Sequence, residues 1–208
     1  MFGGIGKWTF AAAVFGALAL SPTSRGAAEP LKASFAAVGE ETSVPYGWVD
    51  FCSRVPGECQ DDDRAAQPIG LTAPAMQTIQ QINVMVNHQI KAVSDMDHWG
   101  LIDRWDIPTD GRGDCEDFAL LKRKLLMKAG FARQALLMTV VKEANGEGHA
   151  ILTVKTDQGE FALDNLDDAV KPWNKTPYRF VKRQSETNQN VWVALGAPTP
   201  APAYVSNK

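Results

Sequence analysis

The sequence has no excess of positive charge, no internal repeat and no long apolar run except one near its N-terminus. Its 21 Lys and Arg residues and 24 Asp and Glu residues give a net charge of −3, with a pI near 5.6. This balance excludes the basic surface that nucleic-acid-binding and polybasic membrane-binding proteins need. The 208 residues have room for one ordinary domain, and a hydrophobic share of 45% is typical of a globular chain.

The one apolar run covers residues 10–20 and follows Lys7, the first charged residue. The run is too short to span a bilayer but has the length of a signal-peptide core. We therefore predict a signal peptide over residues 1–28, cleaved near Ala27 or Ala28 where small residues follow the run. The mature protein would be periplasmic or secreted and would not span a membrane. A retained anchor or a buried strand is the alternative.

Cysteine is scarce as well, and the number is odd. Cys52 and Cys59 bracket a short loop that contains Pro56 and Gly57, which is typical of a local disulfide formed in an oxidising compartment. Cys115 is then left alone. A lone thiol in an exported protein is either buried and inert or kept for its chemistry.

The third cysteine lies in residues 111–130, GRGDCEDFALLKRKLLMKAG, a pattern that predicts a helix entered from a glycine-containing turn. Asp114 is the expected N-cap, and Cys115 is then the first helical residue. Unpaired backbone N–H groups at a helix start favour a thiolate. Asp114 and Glu116 oppose this effect, because neighbouring negative charge disfavours a second anion.

The remaining pattern predicts an α+β fold, with helices first and an antiparallel sheet after them. A helix is expected from about Thr72 to Ser94, and largely irregular structure before Gly70. Short runs rich in β-formers predict five strands, at 134–141, 149–155, 160–164, 178–183 and 191–195. We place the domain at 29–195 and expect a disordered tail over 196–208, where Ala and Pro alternate.

Three segments carry a resemblance to a known family. The stretch GDCEDFALLKRKLLMKAG, followed by HAILTV and then LDN, closely resembles the bacterial transglutaminase-like cysteine peptidases, the group of the LapG-type periplasmic proteases. Trp105, Pro108, Asn87 and the late run YRFVKRQS with Trp192 also fit. The similarity covers about residues 46–195 and implies a papain/transglutaminase-like fold, with N-terminal helices packed on an antiparallel sheet.

The resemblance implies a catalytic triad. Cys115 would be the nucleophile, His149 the general base and then acid, and Asp164 the group that orients the imidazole. Asp167 and Asp168 are competitors for the last role. Taken singly, His149 could be an ordinary histidine at a sheet edge, and Asp164 an ordinary residue between strand and turn.

The resemblance also implies a calcium site at Asp114 and Glu116. Acidic residues crowd this turn, and a hard cation with oxygen ligands would relieve their repulsion. The alternative is that Asp114 and Asp117 only cap the helix while Glu116 faces water. For the oxyanion we expect the backbone N–H of Cys115 as first donor and the indole N–H of Trp105 as second.

These features favour an exported cysteine endopeptidase that cleaves a protein substrate through a thioester acyl-enzyme. Resemblance suggests a surface or adhesin-like substrate, and no organic cofactor is expected. A protein-glutamine transglutaminase would use the same triad with an amine as acceptor. The third hypothesis is a non-catalytic calcium-binding interaction module.

Overall fold

The helices follow the apolar periodicity of the sequence, but they are shorter than expected. The computed structural model describes residues 1–4, 34–61, 64–196, 202, 204 and 205. Within these residues the α-helices are α1 (Tyr46–Arg54), α2 (Ala73–Gln89), α3 (Asp95–Trp99) and α4 (Cys115–Lys128). Three short 3-10 turns lie at Pro56–Glu58, Arg133–Ala135 and Trp173–Lys175. No described helix is both long and apolar enough to cross a membrane.

Helix α2 begins where predicted and ends earlier. The Thr72 hydroxyl caps it by accepting the backbone N–H of Ala75, and Ile79 and Val86 are fully buried. The helix stops at Gln89 rather than near Ser94. The next residues form β2 (Lys91–Ala92), which pairs in parallel with β3 (Arg112–Gly113) directly before α4. This pairing ties the end of α2 to the turn that precedes Cys115.

A seven-stranded antiparallel sheet follows the helices, and all five predicted strands belong to it. The strand order is β1-β9-β8-β4-β5-β6-β7. The bounds are β1 Val38–Thr42, β4 Leu136–Lys142, β5 Gly148–Thr156, β6 Gly159–Leu163, β7 Lys171–Pro172, β8 Arg179–Gln184 and β9 Trp192–Leu195. Strand β1 and helix α1 lie in the segment for which we expected irregular structure, and that expectation was wrong. Strand β1 pairs with the distant β9, and α1 buries Trp48 and Phe51.

Helix α4 packs on strands β4 and β5, with α2 at its side. Phe118 is buried in this interface, whereas Leu121 and Leu125 are half-buried at the edge of the core. The interface includes Leu120 and Leu126 instead. Helix α4 is thereby held with its first residue at the sheet, near the start of β5.

The predicted disulfide is present, and one residue of the segment after β9 is buried. Cys52 and Cys59 are bonded, with Cα atoms 5.5 Å apart. Val205 is only 3% exposed and packs into the hydrophobic core. The disordered tail over 196–208 stays a prediction. The predicted signal peptide lies outside the described residues, apart from residues 1–4.

Candidate active site

Cys115 is the first residue of α4 and the free cysteine of the chain, with 1% of its surface exposed. Asp114 occupies the N-cap position, but its side chain makes no capping hydrogen bond. Gly113 is required just before it, because a Cβ there would lie 2.4 Å from Oδ2 of Asp117. The turn can therefore bring the Asp117 carboxylate against its own backbone.

Among the described residues, two groups form hydrogen bonds with the sulfur. The thiol donates a hydrogen bond to Oε2 of Glu116 at 3.1 Å, and the backbone N–H of Ala150 donates to Sγ at 3.4 Å. The pairing of β5 with β6 ends at Leu152 and Leu163, so no strand residue of β6 faces Ala150. Ala150 directly follows His149, and the sulfur is thus held beside the residue predicted as its base.

His149 is fully buried and bonded to the predicted carboxylate. Its Nε2 lies 2.9 Å from Oδ1 of Asp164, the residue that follows β6. The competitors lie elsewhere: Asp167 pairs with Lys171, and Asp168 pairs with His88 at 2.8 Å. The structure therefore brings together His149 and Asp164, as the sequence predicted.

Tyr178 completes this pair and was missed in the sequence analysis. Its hydroxyl donates to Oδ2 of Asp164 at 2.5 Å, and its ring centroid lies 5.2 Å from that of His149. Burial by itself would raise the pKa of Asp164. Hydrogen bonds from His149, Tyr178 and the backbone of Leu166, together with the charge of His149, lower that pKa below its ordinary value. The sequence placed Tyr178 only as the first residue of the run YRFVKRQS and of a predicted strand, and no signal gave it a role at the site.

Three acids form a buried cluster that includes Glu116, the acceptor of the thiol hydrogen bond. One carboxylate oxygen from each of Asp95, Asp114 and Glu116 lies within 4.8 Å of the other two. Each of these side chains is at most 1% exposed. Asp95 begins α3 and was missed, since its position 19 residues before Asp114 carries no local signal. The reading in which Glu116 faces water is wrong.

The cluster is incomplete in its hydrogen bonding. Oδ1 of Asp95, Oδ1 of Asp114 and Oε1 of Glu116 have no hydrogen-bond partner within the described part of the chain. Burial and then the charge of Asp95 raise the pKa of Asp114 to about 7. Burial and the charge of Asp114 raise the pKa of Glu116 well above its ordinary value. Buried carboxylates in this state fit a divalent cation with oxygen ligands.

Two neighbouring acids do not belong to the cluster. Asp117 is buried and accepts the backbone N–H of Asp106 at 2.7 Å. Asp110 is exposed and pairs with His98 at 2.9 Å and with Arg112. Of the acids that crowd the turn in the sequence, Asp114 and Glu116 are therefore the two that belong to the buried cluster.

This environment disfavours the ionised form of the Cys115 thiol. Burial first, and then the negative charges of Glu116 and Asp114, raise the pKa of Cys115 well above its ordinary value. Burial and the acidic neighbours thus both disfavour the thiolate, as the sequence predicted for the acids.

Trp105 is buried behind the site, between Trp48 and Trp192, with ring centroids 6.3 and 6.2 Å away. Its indole N–H donates to Oδ1 of Asp103 at 3.0 Å. A role as oxyanion donor would require that bond to break. Trp105 is also the reason for Gly47, since a Cβ there would lie 2.2 Å from its ring.

Comparison with known proteins gives one family and one fold. A family model described as bacterial transglutaminase-like cysteine proteinase matches residues 38–199. Among solved structures, calcium-bound LapG of Legionella pneumophila is similar, with a TM-score of 0.51 and 21% identity over 62% of this chain and 75% of that one. A second LapG structure from that organism gives a TM-score of 0.50 and 24% identity over 58% and 70%. No curated protein matches the chain.

Proposed function

Because the chain belongs to the bacterial transglutaminase-like cysteine proteinase family, we propose that it cleaves a protein substrate through a thioester formed on Cys115. Membership makes the protein a cysteine peptidase with a transglutaminase-like fold. The observation that carries the assignment of roles is the buried His149–Asp164 pair, set directly before the residue whose N–H contacts the sulfur.

In this mechanism His149 takes the thiol proton and the sulfur attacks the carbonyl carbon of a peptide bond. Nε2 of His149 is bonded to Asp164, so Nδ1 is the nitrogen that receives the proton. The imidazolium then gives that proton to the leaving amine as the C–N bond breaks. Water, deprotonated by the same imidazole, hydrolyses the thioester and releases the acid product.

Asp164 orients the ring and stabilises its protonated form. A carboxylate with a lowered pKa stays ionised beside the imidazole, so it favours the imidazolium that develops during attack. For the oxyanion, the backbone N–H of Cys115 at the helix start is the first donor. The assignment of Trp105 as second donor stays a prediction.

The acid cluster fits calcium, with Asp95, Asp114 and Glu116 as ligands. Three buried oxygens without partners among the described residues and an oxygen-only donor set are the properties of such a site. One solved LapG structure is calcium-bound, which is why calcium is the cation named here. When bound, the ion would offset the negative charge beside the thiol. Glu116 and Asp114 would then no longer oppose the thiolate.

We also propose that the protein is exported and acts on a surface or adhesin-like protein. Export is supported by the apolar run over residues 10–20 and by the Cys52–Cys59 disulfide, which persists in oxidising compartments. The substrate class is supported by resemblance to the LapG-type proteases.

The test uses purified wild-type protein and Cys115→Ala, each incubated with exported proteins from the source cell, with calcium or with a chelator. Fragments are expected only with wild type and calcium. A labelled primary amine is added in parallel. Amine incorporation without new fragments would show a transglutaminase instead. If Cys115→Ala yields the same fragments as the wild type, the assignment of the nucleophile is wrong.

A further inference from the structure

We propose that the C-terminal segment of Pro202, Tyr204 and Val205, hereafter the tail segment, covers the groove by which a substrate reaches Cys115. The chain would then hold its own nucleophile closed, and a substrate would have to displace the tail segment. This inference rests on the proposed function for its meaning, but the contacts that carry it are independent of catalysis.

The first observation is how the tail segment is held. Val205 is only 3% exposed, although no helix or strand includes it. Its backbone N–H favours the ionised form of the Asp103 carboxylate, which accepts the indole N–H of Trp105. A buried branched side chain beside this carboxylate indicates a docked segment rather than a loose end.

The second observation is where the tail segment lies. It forms one wall of a cavity of about 260 Å³, whose other walls include Val140 and Trp105. Val140 pairs with Ala150 across β4 and β5, and the N–H of Ala150 contacts the sulfur. The tail segment also lies against Gly148, since a Cβ at that position would be 2.4 Å from the carbonyl oxygen of Tyr204. Gly148 directly precedes His149.

The third observation is the state of the nucleophile. Cys115 is 1% exposed, so a peptide carbonyl cannot reach it unless some covering group moves. The sheet and α4 are held by extensive hydrogen bonding, whereas the tail segment has no ladder or helical bond to lose. It therefore opens at less cost than the sheet or α4.

A groove continues outward from the tail segment. It has a volume of about 740 Å³ and shares Tyr46, Asp103 and Tyr204 with the cavity under the tail. Leu101 and Ile102 line it and are 48% and 60% exposed. An extended protein segment with apolar side chains fits this surface, and its end would take the place of Val205, which points to a small branched aliphatic residue near the cleaved bond.

The test measures how fast iodoacetamide alkylates Cys115 in the native full chain, because the other two cysteines are disulfide-bonded. Val205→Asp should raise the rate by tenfold or more, since burial of one valine side chain biases an open–closed equilibrium by at least about that factor. Gly148→Ala should act in the same direction by pushing the tail segment away. Its backbone is outside the left-handed region, so alanine itself adds no strain. Val38→Asp, on an exposed strand residue, should leave the rate within about twofold of wild type.

A synthetic peptide of residues 201–208, APAYVSNK, added to Val205→Asp should slow alkylation again, while the same peptide with Asp at the valine position should not. Rates within twofold of wild type for both Val205→Asp and Gly148→Ala would overturn the proposal. So would an increase that the peptide fails to reverse, because that indicates loss of fold. If the tail effect stands but no exported protein is cleaved, the proposed function fails alone. If cleavage occurs and the alkylation rate of Cys115 is unchanged in the tail variants, only the proposal about the tail segment fails.

Discussion

Two polar clusters lie near Cys115. Among the described residues, the carboxylate oxygens of one cluster all have hydrogen-bond partners, and those of the other do not. On the sheet side both oxygens of Asp164 accept hydrogen bonds, Oδ1 from His149 and Leu166 and Oδ2 from Tyr178. On the helix side Asp95, Asp114 and Glu116 each keep one oxygen without a partner in the described residues. The carboxylates of both clusters are buried, so burial does not distinguish them.

The pKa values show the consequence. Burial raises the pKa of a carboxyl unless hydrogen bonds and positive charge stabilise the anion. Asp164 receives both and its pKa is lowered, whereas the pKa of Asp114 is raised to about 7. Hydrogen bonds from the side chains and backbone therefore stabilise the Asp164 carboxylate, whereas burial and mutual repulsion outweigh the positive charge of His98 and Arg104 near the other acids. This contrast is why we propose a cation for one cluster and a catalytic role for the other.

The largest loss of activity should come from removing the charge of Asp164 in the sheet-side cluster. Asp164→Asn keeps the shape but removes the charge that orients His149 and stabilises its imidazolium. We expect kcat to fall on the order of 10³-fold to 10⁴-fold, measured as the initial rate of fragment formation from the substrate.

The matched control is Asp167→Asn, three residues away in the same loop. Asp167 is partly exposed and its carboxylate bonds to Lys171 and to the backbone of Ala169, so turnover should stay within about twofold. Equal losses in the two variants would show that the loop tolerates neither change, and Asp164 would lose its special role.

The second-largest effect should be the stabilisation of the fold when calcium binds to the helix-side cluster of Asp95, Asp114 and Glu116. Calcium that binds only the folded state stabilises it by RT ln(1 + [Ca²⁺]/Kd), which is about 2.7 kcal/mol at 100 times Kd. For a chain of this size the melting temperature should rise by roughly 5–10 °C. Asp114→Asn should remove most of this shift in a calorimetric scan.

Asp110→Asn is the control, because Asp110 lies near the cluster in sequence but pairs with His98 and Arg112 at the surface. It should keep the full calcium shift. A shift that Asp110→Asn abolishes and Asp114→Asn retains would move the site away from the buried acids.

The third prediction concerns the opposite pH dependences of the two clusters. The folded pKa of Asp114 is raised from 3.8 to about 7, so the folded state binds more protons than the unfolded state within that range. The stability of the metal-free chain should therefore fall as pH rises from about 4 to 7, by roughly 3 kcal/mol for this group. Asp164 acts in the other direction, since its lowered pKa contributes stability that is lost only as pH falls below about 4.

Denaturant unfolding at several pH values measures how the free energy of unfolding changes with pH in both ranges. Calcium should flatten the decline between pH 4 and 7, because a cation favours the ionised acids. A metal-free stability that rises through this window would show that the acids are ionised without a counter-charge, and the contrast between the clusters would disappear.

The sequence predicted the framework because its signals are local. Alternating β-formers predicted the five main strands, and the turn before Cys115 predicted the start of α4. Strand β1 and helix α1 were missed because their order depends on distant partners: β1 pairs with β9, and Trp48 of α1 packs against Trp105. Four of the five β1 residues are exposed, so the strand shows no buried alternation. Helix α1 has only nine residues, too few for the apolar spacing of Trp48 and Phe51 to decide its conformation.

The site residues also fall into those that the sequence predicted and those that it did not. The thiol, the imidazole and the carboxylate were predicted because they lie in recognisable motifs, and the structure shows Asp164 bonded to His149. Asp95, Tyr178 and Val205 were missed, although each contacts the site or its rim. They reach it from α3, from the start of β8 and from the tail, by way of tertiary packing that no short motif records.

The smallest effect should come from removing one hydrogen bond of the completed cluster. Tyr178→Phe keeps the ring beside His149 but leaves Oδ2 of Asp164 without its hydroxyl donor. The pKa of Asp164 should rise, because a donor to the ionised form favours ionisation. The acidic limb of the kcat/KM profile should therefore move to higher pH. At neutral pH we expect a loss of about threefold to tenfold, since a hydrogen bond to a charged group contributes roughly 1.5–3 kcal/mol and only part of it changes during the reaction.

Tyr178→Leu separates the hydroxyl from the ring, since it removes both. If the hydroxyl matters by holding Asp164 ionised, the phenylalanine variant should already show the shifted acidic limb, and leucine should add a loss that is independent of pH. If the phenylalanine variant has an unchanged profile and only leucine is impaired, Tyr178 acts by packing alone. The lowered pKa of Asp164 would then rest on His149 and the backbone of Leu166, and the sheet-side cluster would need only those two partners to be complete.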